Sequence, residues 1–176
     1  MINLENKLKS NLKNARRIAV LGVGSELRAD DAAGLVVAEY LQNNFKTNHR
    51  QLKVFLGATS PENLTGEIKN FKPTHLIIID SADIGAKAGT TVLLKPQALG
   101  GISFCTHQLP LQILADYLVK SLGCKIIIIG IQPKTLTFGC LRSKEVEIAI
   151  SRIVDAVAKI INLKDNKKEE PCFNLL

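Results

Sequence analysis

Two carboxylates stand side by side at Asp30-Asp31, shortly after a glycine loop that closes an apolar run: Leu21-Gly22-Val23-Gly24-Ser25-Glu26-Leu27-Arg28-Ala29-Asp30-Asp31. A glycine loop following a strand ordinarily cradles phosphate. Paired aspartates at its mouth repel phosphate and suit a cation or a proton transfer. Leu27 stands where a dinucleotide fingerprint needs its third Gly, and no Gly-Lys-Ser/Thr follows, so a tight turn accounts for these glycines better than a nucleotide site. A third acid, Asp80, ends the run Leu76-Ile77-Ile78-Ile79, where an unpaired carboxylate is costly and usually has a partner or a task.

The chain has three histidines. His49 sits in a polar loop, and His75 opens an apolar strand. His107 lies just before Pro110, where a side chain can face a cleft. Asp31, Asp80 and His107 gathered together would make a three-ligand site with an open position, a set suited to a divalent transition metal. Taken alone, Asp30 reads as a helix-start residue that complements the dipole, and Asp83 as a turn or cap residue. Cys105, two residues before His107, raises a Cys–His nucleophile, but no third residue is evident to orient the imidazole.

These residues need elements to hold them. Leu4, Leu8 and Leu12, four apart, give an amphipathic helix over 2–14, its lysines in solvent. Buried strands are expected at 18–21, 52–56, 76–79 and 126–129, and a short edge strand at 90–94. Helices are expected over 31–44, from Pro61 to about Lys69 with Ser60 as N-cap, after Pro110, and from Ser143 as N-cap to the end of the apolar stripe at Ile160. Residues 135–138 read as a short extended piece. Fully apolar strands alternating with helices imply an α/β fold: a single-domain three-layer sandwich, its sheet mostly parallel (mixed) and twisted, with helices on both faces. In such folds the working site lies at the carboxyl ends of the strands. The segments after the first three strands, 22–31, 57–60 and 80–83, all fall on that edge.

The whole chain, 1–176, is expected to form one domain, with a flexible tail at 163–176. Apolar residues make up 46% and charged residues 22%, ordinary values for a globular domain. No apolar run approaches a membrane span, and the N-terminus lacks a signal-peptide core. The expected address is therefore the cytoplasm, with the four separated cysteines reduced and no membrane partner. The net charge of +7 is concentrated in residues 1–17, which carry +4, while the body 18–162 carries only +3. With 5% aromatics and no Trp there is no stacking platform, and a nucleic-acid partner is not expected.

Five segments together, in order, resemble the hydrogenase maturation proteases. They are Gly22-Val23-Gly24-Ser25-Glu26-Leu27-Arg28-Ala29-Asp30-Asp31-Ala32-Ala33-Gly34, Gly57-Ala58-Thr59-Ser60-Pro61-Glu62-Asn63, Asp80-Ser81-Ala82-Asp83-Ile84-Gly85, Thr106-His107-Gln108-Leu109-Pro110-Leu111 and Gly130-Ile131-Gln132-Pro133. The resemblance spans residues 17–162 and is greatest to the hydrogenase 3 type. It implies an endopeptidase that removes the C-terminal extension of a nickel–iron hydrogenase large-subunit precursor after nickel insertion. Carried over motif by motif, it implies that Asp31, Asp80 and His107 contact nickel brought by the substrate, with no tightly bound cofactor in the isolated enzyme. It places the chain among aspartic-type or metal-assisted peptidases, with Asp31 or Asp80 as general base or a metal-bound water as nucleophile. Two other classes remain open: a non-catalytic nickel-sensing assembly chaperone using the same three residues, and a nucleotide-binding α/β domain, which the aspartates oppose. The chain departs from the family pattern at Ser25, where Asn is usual, at Leu56, where an acid is frequent, and at Cys105, where Thr or Ser is usual.

Overall fold

A computed structural model describes residues 4–44, 52–98, 103–104 and 111–166 of the chain. Helix α1 (Leu4–Asn11) leads into strand β1 (Ile18–Val23), a 3-10 turn at Ala29–Ala32 and helix α2 (Ala33–Asn44). Strand β2 (Leu52–Ala58), a 3-10 turn at Pro61–Leu64 and helix α3 (Thr65–Phe71) follow. Then come β3 (His75–Asp83), β4 (Thr91–Leu94), β5 (Ser103–Phe104), α4 (Leu111–Leu122), β6 (Lys125–Ile131) and α5 (Lys144–Asn166). The strand order is β2-β1-β3-β6-β4, with the two-residue β5 paired to β3. Strands β2, β1, β3 and β6 run parallel, while β4 is the antiparallel edge. This is the expected mixed, mostly parallel α/β sandwich.

The burial pattern explains why the central strands are so apolar. Side chains alternate across the sheet, and each face of β3 meets its own core. Ile77 and Ile79 pack on one side with residues of α1, α2 and α5. Leu76 and Ile78 pack on the other with Ile68 of α3 and Leu111, Leu114 and Leu118 of α4. A strand covered on both faces has no polar side to offer.

Helix α1 closes the first core. Leu8 and Leu12 are fully buried, α1 packs on α5, and Lys7, Lys9 and Lys13 are exposed. Its contribution is therefore hydrophobic packing. Leu8→Ala should lower the unfolding free energy by about 3 kcal/mol, the range for a large-to-small change at a well-packed site. Urea denaturation reads this as a lower midpoint at unchanged slope.

Several local expectations are corrected. The segment after Ser60 starts as a 3-10 turn, and Ser60 makes no side-chain cap bond. Pro61 at the first position favours the tighter i→i+3 closure, seen as the Asn63 N–H donating to the Ser60 carbonyl. Residues 135–138 form no strand, because the amides of Lys134 and Thr135 are taken by a carboxylate described below. Helix α5 continues to Asn166, so residues 163–166 of the expected flexible tail are helical, while 167–176 lie outside the described residues. No helix among the described residues is long and apolar enough to cross a membrane.

Two cysteines are described, Cys124 buried and Cys140 exposed. Burial raises the Cys124 thiol pKa, which lowers its thiolate fraction and its access at once. Iodoacetamide followed by peptide mass mapping should label Cys140 in the native protein and Cys124 only after unfolding.

Candidate active site at the carboxyl edge of the sheet

The loop between β1 and α2 is folded back on itself. Gly24 has φ of +138°, a conformation that side chains disfavour, and a Cβ there would run into the Asp31 carbonyl oxygen. The space a phosphate would need beside this glycine is filled by the chain's own backbone, which removes the basis for the nucleotide-binding alternative. Gly34, at the start of α2, rests on the Ile79 and Val23 carbonyls with no room for a Cβ. That close approach seats the 3-10 turn Ala29–Ala32 directly on β3. Two alanines at this edge hold positive φ: Ala29 at 42°, opening the turn, and Ala58 at 44°, ending β2 beside a register shift in β1. Non-glycine residues in that region carry strain that the surrounding structure must impose.

Asp31 is fully buried. Its Oδ2 accepts the Ser25 amide at 2.9 Å, and its Oδ1 has no hydrogen-bond partner among the described residues. Asp80 is also fully buried, with Oδ1 accepting the Ser81 amide at 2.7 Å. Gly22 of β1 aligns with Ile79 of β3, so the loop carrying Asp31 and the strand position of Asp80 lie at the same end of the sheet. Asp80 is not the last residue of its strand: β3 runs on to Asp83, where Ala82 and Asp83 pair with Phe104 and Ser103 of β5. The strand outlasts its apolar run because β5 supplies a second hydrogen-bonding partner.

His107 and Cys105 lie outside the described residues, as does His49. Among the described residues no group of three His, Cys, Asp or Glu side chains is gathered as a metal-binding set. His75, at the opposite end of β3, bonds Thr74 Oγ1 through Nδ1 at 3.1 Å, consistent with a packing role.

Asp30 is the main correction at the site. It is fully buried and clamps the loop between β6 and α5. Its Oδ2 accepts the amides of Lys134 at 2.8 Å and Thr135 at 3.1 Å, and the Ser143 hydroxyl at 3.0 Å. Its Oδ1 accepts the Ser143 amide at 2.6 Å. Ser143, just before α5, thus gives both its amide and its hydroxyl proton to a buried carboxylate, charge-assisted bonds of the stronger kind. Nothing local marks Asp30 for this task, since its partners lie more than a hundred residues along the chain.

Gln132 is the second residue whose role the sequence does not reveal. Its Oε1 accepts the amides of Ile84 at 2.8 Å and Ala86 at 3.3 Å, and its Nε2 donates to Asp83 Oδ1 at 3.2 Å. It fixes the loop that follows Asp80. Asp83, expected as a turn residue, is exposed and also accepts the Gly85 amide at 3.2 Å. The available signals are that a polar side chain follows an apolar strand and that Gln132 lies in the segment Gly130-Ile131-Gln132-Pro133, which resembles the family but does not disclose what the side chain bonds.

Comparison with known proteins places the fold and the chain in a family. Residues 35–160 match the family model described as hydrogenase maturation protease. A protein of Methanocaldococcus jannaschii named for the same family is 36% identical over 163 residues, covering 90% of this chain and 96% of its own. The hydrogenase 3 maturation protease of Escherichia coli is 30% identical over 135 residues, covering 76% of this chain and 84% of its own. The crystal structure of the nickel–iron hydrogenase maturation protease HycI from Thermococcus kodakarensis superposes with a TM-score of 0.81 at 29% identity, over 89% of this chain and 99% of that one.

Proposed function

The chain belongs to the hydrogenase maturation protease family, and from that premise we propose that it is the endopeptidase that removes the C-terminal extension of a nickel–iron hydrogenase large-subunit precursor once nickel has been inserted. The observation that carries the chemistry is Asp31: a fully buried carboxylate with one oxygen fixed by the Ser25 amide and the other without a donor among the described residues. A buried anionic oxygen left this way is costly, and a cation delivered by the substrate relieves the cost.

In this reading nickel is part of the substrate, held by the precursor's own ligands, and Asp31, Asp80 and His107 supply the enzyme's contacts. Gripping the ion anchors the scissile bond beside the two carboxylates, so positioning contributes much of the rate. One carboxylate, Asp31 or Asp80, takes the proton from the attacking water as general base. The metal-assisted alternative places that acidification on the ion. The Ser25 amide holds Asp31 in orientation, and Gln132 holds the loop that follows Asp80. The proposed setting is the cytoplasm.

Incubation with nickel-loaded precursor should shorten it from its C-terminal end, with the released peptide recovered by mass; a nickel-loaded precursor left unshortened points to the nickel-sensing chaperone class. The metal contact has its own readout. Calorimetry of the isolated protein with nickel should show about one weak site, because two oxygens and one nitrogen leave coordination positions open. Binding should be lost in Asp80→Ala, and unchanged binding there would place the ligands elsewhere.

A further inference from the structure

Loop 133–143 carries an unusual combination of rigidity and apolar exposure. Leu141 is 92% exposed, Phe138 71%, and Leu27, on the neighbouring loop, 59%. Yet the two segments that carry them are tightly stitched together. The Gly139 amide donates to the Leu27 carbonyl at 2.8 Å, and the Asp30 amide to the Thr135 carbonyl at 3.2 Å. Arg28 Nε donates to the Leu136 carbonyl at 3.4 Å, in addition to the Asp30 carboxylate bonds. Large apolar side chains held out in solvent on an immobilised loop mark an interaction surface.

Charge narrows the occupant. The loop's two cationic neighbours are committed within the fold: Lys134 Nζ bonds Glu145 Oε1 at 2.8 Å, and Arg142 Nε bonds Glu147 Oε1 at 2.7 Å. With those charges matched by the first turn of α5, and with Glu26 and Arg28 of opposite sign on either side of Leu27, the two loops offer Leu27, Phe138 and Leu141 as a near-neutral apolar rim, complementary to an uncharged partner segment. Position narrows it further. Leu27 and Asp31 share one loop, and Asp30, adjacent to Asp31, anchors the Phe138 segment, so the rim is carried on the loops that hold the candidate active site.

We infer that Leu27, Phe138 and Leu141 form the docking rim for an apolar stretch of the substrate polypeptide flanking the scissile bond. The inference rests on the protease reading and specifies which part of the enzyme selects the substrate. Binding on the rim is shared by ground and transition states, so it appears in KM and not in kcat.

The test is steady-state processing of nickel-loaded precursor by wild type and by the double variant Phe138→Ser/Leu141→Ser, with sedimentation of both proteins. The expected result is a KM raised roughly tenfold or more, the scale of losing two buried apolar contacts, with kcat held within about twofold. If wild type cuts the precursor and the double variant keeps its KM, the rim inference falls while the protease reading stands. If wild type self-associates and the variant is monomeric with unchanged KM, the patch belongs to a second copy of the chain, which also overturns the inference. If wild type leaves the precursor intact, the protease reading itself fails and takes the rim with it. Should the double variant melt early, Leu141→Ser alone carries the test, since that side chain is almost wholly in solvent.

Discussion

Asp31→Asn is expected to fold normally and to lose nearly all processing, a fall on the order of 10²–10⁴-fold in single-turnover rate. The amide is nearly isosteric and can still accept the Ser25 N–H, so the loop closed by Gly24 has no reason to open. What changes is the second position. An amide nitrogen or a neutral oxygen replaces the anionic Oδ1 that has no donor among the described residues, and the pull on a cation disappears. Asp80→Asn should behave alike, since Asp80 is equally buried at the same end of the sheet. Asp83→Asn, at an exposed position, should cost only a few-fold. Activity retained in Asp31→Asn would remove the chemical basis of the site.

Asp30→Ala should do the opposite: chiefly weaken the fold. Truncation strands the amides of Lys134, Thr135 and Ser143 and the Ser143 hydroxyl, all of which the carboxylate satisfies. A donor left without a partner costs about 1–3 kcal/mol when shut off from water; these donors are part-buried around a fully buried carboxylate, so a loss of about 2 kcal/mol is expected, a large share of the stability of an ordinary domain. Urea unfolding measures it. At a temperature where Asp30→Ala remains folded, it should still cut precursor, more slowly because the loop next to Asp31 is loosened. A stability change below about 0.5 kcal/mol, as at an ordinary surface site, would mean that the clamp is not what holds the 133–143 loop.

These two neighbours show what the residue pattern discloses. Leu76-Ile77-Ile78-Ile79 and Ile126-Ile127-Ile128-Ile129 announce central strands because each lies between two cores, a requirement written into the strand itself. The edge bearing the site follows from where those strands end. Asp30 and Asp31 are alike in type and adjacent in position; the family motif marks Asp31, held by the nearby Ser25 amide, whereas Asp30 emerges as a structural clamp only through partners 104 to 113 residues away. The same holds for Gln132, whose acceptor and donor atoms serve a loop about 46 to 49 residues earlier. Ser60 and Ser143 look alike as caps, but one precedes a 3-10 turn and the other is drawn to Asp30.

If buried carboxylates at the sheet edge act on a nickel-bearing protein substrate, nickel-loaded and nickel-free precursor must fare differently when the protein is given both in parallel and intact mass is followed over time. The nickel-loaded precursor alone should lose a C-terminal peptide, and Asp31→Asn should leave it whole. Equal cleavage of the nickel-free precursor would contradict anchoring through the metal, and cleavage of neither by the wild type would contradict the enzyme.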